Sequence, residues 1–285
     1  MASGANAEAL SNEDLAVEVS DDELVLRATI DRPDQRNALN TTVMSGLYDV
    51  LEAADEGPAR VVVVRGAGAT FCSGGDLTEM AQLIDASPQA YREHLSAIST
   101  LMSTMRGTDA LTVAAVEGYC LAGGMGVAAS ADIVIAADDA TFGTPEKEIG
   151  LFPMQVMAPF MRTVHEKKGL QLLFTGETFD AREAERLGLV SEVVESDGDA
   201  DDLDGDAGTD DAFDEELDAL VDTLVNSSPT MISMGKEAYY HQREMGFEEA
   251  LGYLREMFAL LVMSEDTEAG IEARITGEDP AWRAR

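Results

Sequence analysis

Positive charge is what this chain has least of. Lys and Arg number 19 in 285 residues against 55 Asp and Glu, a formal net charge of −36. A surface of that sign repels nucleic acid and anionic membranes, so neither is an expected partner. Self-repulsion on this scale is tolerable once screened, and near 1 M salt the Debye length falls to about 3 Å. The composition reads as adaptation to a high-salt cytoplasm.

Other absences narrow the chemistry. The chain has three histidines (His94, His165, His241) and two cysteines (Cys72, Cys120), and no histidine lies near either cysteine in sequence. A thiol nucleophile is therefore not indicated, and two buried free thiols in a reducing compartment are expected rather than a disulfide. No Gly-x-Ser-x-Gly elbow supports a Ser-His-Asp hydrolase, and neither a P-loop nor a cluster of metal ligands is present. No stretch approaches the roughly 18 uninterrupted apolar residues of a membrane-spanning helix. The opening MASGANAEALSNED lacks the basic-then-apolar order of a secretory signal.

What the chain does have, at 45% hydrophobic residues, is material for a full core. Two stretches share one logic: Val61–Leu77 (VVVVRGAGATFCSGGDL) and Thr112–Asp132 (TVAAVEGYCLAGGMGVAASAD). Each begins as a short apolar strand of the kind buried on both faces, breaks at glycine, and opens a helix. In the first, Gly66 and Gly68 turn the chain and Ser73-Gly74-Gly75 leads to Asp76 as a helix cap. In the second, Gly123-Gly124 starts a run of small residues. The first N–H groups of a helix lack internal partners and sit at the positive end of its dipole. Glycine lets a ligand approach them closely. Either turn alone also fits a helix that simply needs room to pack. Together they can aim two N–H donors at one oxygen, an oxyanion hole.

Around these stretches the pattern is α/β. Residues 1–14 read as a loose tail, and 15–20 and 23–31 as a hairpin. Arg32–Arg36 reads as a loop, and Asn40 as the cap of a helix from Thr41 to about Ala54. Helical patterns cover 77–85, 88–105, 153–162, 165–175 and 180–187, with strands at 133–137 and 190–195 and a short extended piece at 141–144. Strands alternating with helices point to an α/β core over 15–195. Between Glu195 and Asp218, 13 of 24 residues are acidic. No window there has the glycine spacing of a calcium loop, so 196–211 reads as a solvated acidic insertion. Helices then follow at 212–225, 230–244, 247–263 and 265–274. Leu251, Leu254, Phe258 and Leu261 share a face that suits either the chain's own core or a neighbouring subunit.

With both glycine turns, RPDQRNALN and FGTPEKEIGLFP in order, the chain resembles the enoyl-CoA hydratase/isomerase (crotonase) superfamily. The likeness runs from about Leu15 to Leu189 and resumes at Asp218 after the acidic insertion. It implies a spiral of β-β-α units with a C-terminal helical region at 212–285 that builds trimers or hexamers. It also implies an acyl-CoA ligand, with coenzyme A carried by the substrate and no separate cofactor. The resemblance places the oxyanion donors at Gly75 and Gly123 and an acid/base at Glu146. It places substrate contacts at Arg36, Ala38, Asp76 and Leu77, Arg36 suiting the nucleotide phosphates.

Two departures bear on activity. Hydratases of this family carry a first glutamate where this chain has Gly126, and dienoyl-CoA isomerases an acid where it has Met154. One carboxylate suffices to move a proton from one carbon to another, so the residues slightly favour isomerisation over hydration. Glu148 would share Glu146's face in an extended segment, and Glu117 is a weaker substitute. The family's CoA-contacting C-terminal lysine is also not evident, with Arg274, Arg283 or Arg285 as candidates to replace it. Met154, Met157 and Met161 recur at helical spacing and suit either core packing or an acyl pocket. Other crotonase-type reactions (thioester hydrolysis, decarboxylation) and a non-catalytic acyl-CoA-binding subunit are the alternatives.

Overall fold

The computed structural model describes residues 6–68, 70–195 and 211–282. The acidic insertion, apart from the backbone of Asp211, and Arg283 and Arg285 lie outside the described residues.

A helical turn, α1 (Ala7–Leu10), precedes the antiparallel hairpin β1 (Leu15–Val19) and β2 (Val25–Ile30), in which Leu15 faces Ile30. The expectation of a loose tail is corrected for residues 6–14. Asn6 caps α1, the Ser11 hydroxyl accepts from Val17 N–H, and Asp14 pairs with Arg32 and accepts a hydrogen bond from the Asn40 side-chain amide. The loop after β2 contains a 3-10 turn at Pro33–Gln35. Asn40 then caps α2 (Thr41–Glu56) as its sequence suggests, its side-chain oxygen accepting from Val43 N–H at 2.8 Å.

The remaining elements up to the insertion repeat a strand-strand-helix theme. β3 (Val61–Gly66) leads to α3 (Leu77–Gln82) and α4 (Pro88–Gly107). β4 (Leu111–Val116) and β5 (Tyr119–Leu121) lead to α5 (Gly123–Ser130). β6 (Ile133–Ala137) and β7 (Thr141–Gly143) lead through a 3-10 segment, Pro145–Ile149, to α6 (Met157–Phe160) and α7 (Glu166–Thr175). β8 (Phe179–Asp180), α8 (Ala181–Leu187) and β9 (Glu192–Val194) complete the core. The helix expected over 153–162 is confined to α6. Pro159 has no N–H to give, and the chain on either side is held by short-range turns such as Ala158 N–H to Gln155 O.

The strands form two sheets, in order β1-β2-β3-β4-β6-β9 and β5-β7-β8. From β2 to β9 the large sheet is parallel. Parallel strands covered on both faces need apolar residues on both, and the valine run of β3 divides accordingly. Val62 and Val64 enter a core with α2, α4, α5, α7 and α8, whereas Val61 and Val63 enter a second core on the opposite face. That second face is covered by Phe213, Leu217 and Val221 of α9 (Asp211–Val225). Reading all of 212–285 as an assembly region is therefore corrected for α9, which belongs to the monomer's own core.

α10 (Pro229–Gln242) is pinned by a buried lysine. Lys236 donates to the carbonyls of Met105 (2.8 Å) and Ala110 (2.7 Å) and pairs with Asp132 at 2.7 Å. α11 (Phe247–Val262) and α12 (Glu265–Thr276) follow. Leu251 and Phe258 are exposed on α11, with Leu254 and Leu261 half-buried, so this face is not absorbed by the chain's own core.

Candidate active site

The two glycine turns are stitched together by backbone hydrogen bonds. Phe71 N–H reaches Glu117 O, Cys72 N–H reaches Tyr119 O, and Leu121 N–H returns to Cys72 O. The approach is close enough that a Cβ on Gly124 would lie 2.7 Å from both Cys72 Cβ and Cys72 O. Both thiols are free and buried behind this seam. Desolvation pushes Cys72 up to about 12 and Cys120 well above its ordinary value, so both stay protonated and inert.

Gly75 is held from both sides. Leu39 N–H donates to Gly74 O at 2.7 Å, and Asp76 N–H donates to Leu39 O at 2.9 Å. Gly123 is the first residue of α5, where no internal acceptor exists. Among the described residues, no backbone acceptor takes either the Gly75 or the Gly123 N–H. A methyl built on Gly123 would lie 3.5 Å from Gly75 N, and one on Gly74 would lie 3.5 Å from Gly123 N. The two free donors thus border one small volume. Ala122, with φ 48° and ψ −122°, carries the strain of turning β5 into α5 there. Its sequence gives no sign of that role.

Both donors open into a cavity of about 510 Å³. Its walls are mainly aliphatic and aromatic, with Leu39, Met44, Leu77, Ile98, Phe152 and Met154 among them. Tyr91, His94, Leu95 and Ile98 all reach it from α4. Their i, i+3, i+4, i+7 spacing is the signal by which this wall was findable.

Glu146 lies on the cavity wall, the second residue of the 3-10 segment after Pro145. Its Oε2 is buried with no hydrogen-bond partner. Burial pushes its carboxyl above the ordinary range, against the smaller opposing effect of its own backbone N–H. Glu148 also borders the cavity but is exposed, and the segment is 3-10 rather than extended, so the shared-face argument for it does not hold. Glu117 is excluded from this site. It pairs with Arg65 at 2.8 Å, and Arg65 reaches on to Asp214 of α9. Gly126 is buried, and the space its side chain would take holds the Met102 methyl and Val156.

The expected substrate contacts divide. Leu77, 59% exposed, borders the cavity. Asp76 caps α3 through Thr78 and Glu79 N–H and pairs with Arg32 at 2.8 Å. Burial alone would raise its pKa, but Arg32 and the two N–H donors hold it below the ordinary carboxylate value. Arg36 (φ 50°) is exposed, and its carbonyl accepts from Ser73 N–H at 3.0 Å. Ala38 is buried, its carbonyl taken by Arg32. Between them Asn37, missed in the sequence, ties the first turn together by donating to Ala67 O at 2.9 Å and Thr70 O at 2.5 Å. Arg274 is exposed on α12. Met154 faces the cavity, while Met157 and Met161 pack on the core.

Known proteins resemble this chain in sequence and fold. The family model described as enoyl-CoA hydratase/isomerase matches residues 21–285. A probable enoyl-CoA hydratase, echA8 of Mycobacterium bovis, is 34% identical over 269 residues, covering 94% of this chain and 97% of the relative. The 2,3-dehydroadipyl-CoA hydratase of Escherichia coli is 30% identical over 275 residues, covering 94% and 98%. Among solved structures, AtuE of Pseudomonas aeruginosa superimposes with a TM-score of 0.84 at 32% identity, covering 95% and 99%. An enoyl-CoA hydratase of Mycobacterium smegmatis gives 0.85 at 27% identity, covering 95% and 99%. The chain is a member of the enoyl-CoA hydratase/isomerase family, an enzyme of hydratase/isomerase type.

Proposed function

We propose that the enzyme moves the double bond of an unsaturated acyl-CoA thioester, converting a 3-enoyl to a 2-enoyl thioester, with Glu146 as the only acid/base. The observation that carries this reading is that Gly126 brings no side chain to the site, the space beside it being taken by the Met102 methyl and Val156. The Gly75 and Gly123 N–H groups receive the thioester oxygen. Glu146, ionised, removes a proton from C2, and the electron pair of that C–H bond delocalises into the carbonyl as a dienolate held by the two donors. The same carboxyl returns the proton at C4 as the C2–C3 double bond forms. No water enters the balance, in keeping with the apolar cavity. A carboxyl raised by desolvation is a stronger base for this step.

Hydration of a 2-enoyl thioester is the second reading. It is favoured by the cavity position of Glu148, where a water could be held, and by the hydratase names of relatives at 34% and 30% identity. In both readings the aliphatic walls take the acyl chain. Ala38 and Leu77 flank the thioester, Arg36 is directed to the coenzyme phosphates, and Asp76 contributes by holding the Gly75 turn. The exposed apolar residues of α11 and α12 are assigned to a homotrimer or hexamer, and the acidic surface to a salt-rich cytoplasm.

The test is a paired assay in multimolar KCl with wild type and Glu146→Gln, each given a 2-enoyl-CoA and a 3-enoyl-CoA, products being resolved by mass. Double-bond migration without mass change, lost in the variant, is the expected result. Water addition as the dominant wild-type reaction overturns it in favour of hydration.

A further inference from the structure

At the far end of α5 from the acyl cavity lies a second pocket, of about 260 Å³. Eight residues of helix, about 12 Å at 1.5 Å per residue, separate Gly123 from it. Its walls bring together Arg106 from the last turn of α4, Arg162 from the turn before α7, and Arg243 just beyond α10, with Tyr239 and Tyr240 between them. Three of the chain's 19 basic residues therefore converge on one cavity of a protein whose net charge is −36.

The guanidiniums are positioned rather than neutralised. Arg106 lies 4.4 Å from the Tyr240 ring centroid and Arg243 lies 5.5 Å from that of Tyr239, contacts that orient a cation and leave its charge in place. Arg243 also donates to Arg162 O at 2.6 Å, and Arg162 to Ala158 O at 2.9 Å. Among the described residues neither Arg106 nor Arg243 has a carboxylate partner, and Arg162 has only a long contact, 3.7 Å, to the exposed Glu244. Asp132 also borders the pocket, its Oδ2 accepting from Thr112 and paired with the buried Lys236 at 2.7 Å and its Oδ1 accepting from Tyr240. Like charges gathered on one cavity repel unless an anion sits between them, and guanidinium forks match the oxygens of a tetrahedral oxyanion.

We propose that this pocket is a binding site for a doubly charged oxyanion of the phosphate type, separate from the acyl-CoA cavity, with Arg106, Arg162 and Arg243 as its ligands. A halide satisfies one guanidinium at a time. A phosphate group offers several oxygens to guanidinium donors and is smaller than the cavity of about 260 Å³.

The test is a titration of inorganic phosphate with the full-length protein at fixed KCl, read by ³¹P line broadening. Saturable one-to-one binding is expected, displaced by sulfate but not by additional chloride. Arg106→Gln and Arg162→Gln should each weaken it by about tenfold or more, the loss of one charge-assisted hydrogen bond, while acyl-CoA turnover is retained. Should either variant fail to fold, the other variant and the wild-type sulfate competition still decide. Non-saturating broadening, or equal binding in wild type and both variants, means an adventitious ion only and overturns the site. Displacement of phosphate by coenzyme A also overturns it, because the pocket would then belong to the substrate's own phosphates.

Discussion

Gly123→Ala is the sharpest probe of the two-donor site, because the geometry sets both where the methyl goes and what it displaces. The added Cβ lies 3.5 Å from Gly75 N. An acceptor oxygen must itself sit about 2.7–3.1 Å from its donors, so methyl and oxygen compete for one volume. The other neighbours of that methyl are Ile98 Cδ1 at 3.2 Å and Leu39 Cδ1 at 3.4 Å. Both are ends of flexible side chains that yield by a few tenths of an ångström, so the fold survives. Loss of one donor in comparable sites costs about 10²–10³ in kcat, roughly 2.7–4 kcal/mol of transition-state stabilisation. Gly75→Ala is the matched control, since its methyl meets nothing nearer than Met80 Sδ at 3.7 Å. That variant should keep its rate within about tenfold. The assay is steady-state turnover of the enoyl-CoA substrate at high KCl, with kcat and KM separated. The loss should fall on kcat, because the interaction strengthens as the oxygen gains charge. Equal rates for the two variants, or a Gly123→Ala defect confined to KM, would refute the shared-oxyanion geometry.

Glu146 predicts opposite effects on activity and stability. Glu146→Gln should lower kcat by about 10²–10⁴. Its folded pKa is raised, so the folded state holds the proton more tightly than the unfolded chain, and stability falls as pH rises from the unfolded value through the folded one. The Gln variant escapes that loss and should melt higher than wild type at neutral pH. Wild-type kcat should decline on the acid side at a pH above the ordinary carboxylate value of 4.5. Lys236→Met strands Asp132 in the interior and should destabilise the protein by about 3–5 kcal/mol, measured by denaturant unfolding at fixed KCl. Gly126→Ala drives a methyl into Met102 and Val156, and overpacking of about 1–3 kcal/mol is expected in the same assay. An unchanged midpoint would show that Met102 simply moves aside and leaves room for a second acid.

Much of the fold was legible because local chemistry and tertiary context agree. The Asn40 cap, the alternating hairpin and the strand over Ile133–Ala137 follow from side-chain hydrogen bonding and apolar pattern alone. The two glycine turns announced themselves by composition, and the motif order carried the family. Where reading failed, a long-range contact had decided the outcome. Tail residues 6–14 are ordered because Asp14 meets Arg32 and Asn40.

By itself the sequence determined the charge, the α/β alternation and the two glycine turns, each a matter of residue type and order. Only the tertiary structure decided which valines of β3 face which core, since both faces of that strand are apolar and α9 arrives from beyond the insertion. It alone showed that Met102 occupies the space beside Gly126, that Glu117 is committed to Arg65, and that three arginines from α4, the turn before α7 and the end of α10 share one pocket. Each of these is a meeting of residues distant in the chain. No local propensity encodes such a meeting, because it exists only once packing has brought the elements together.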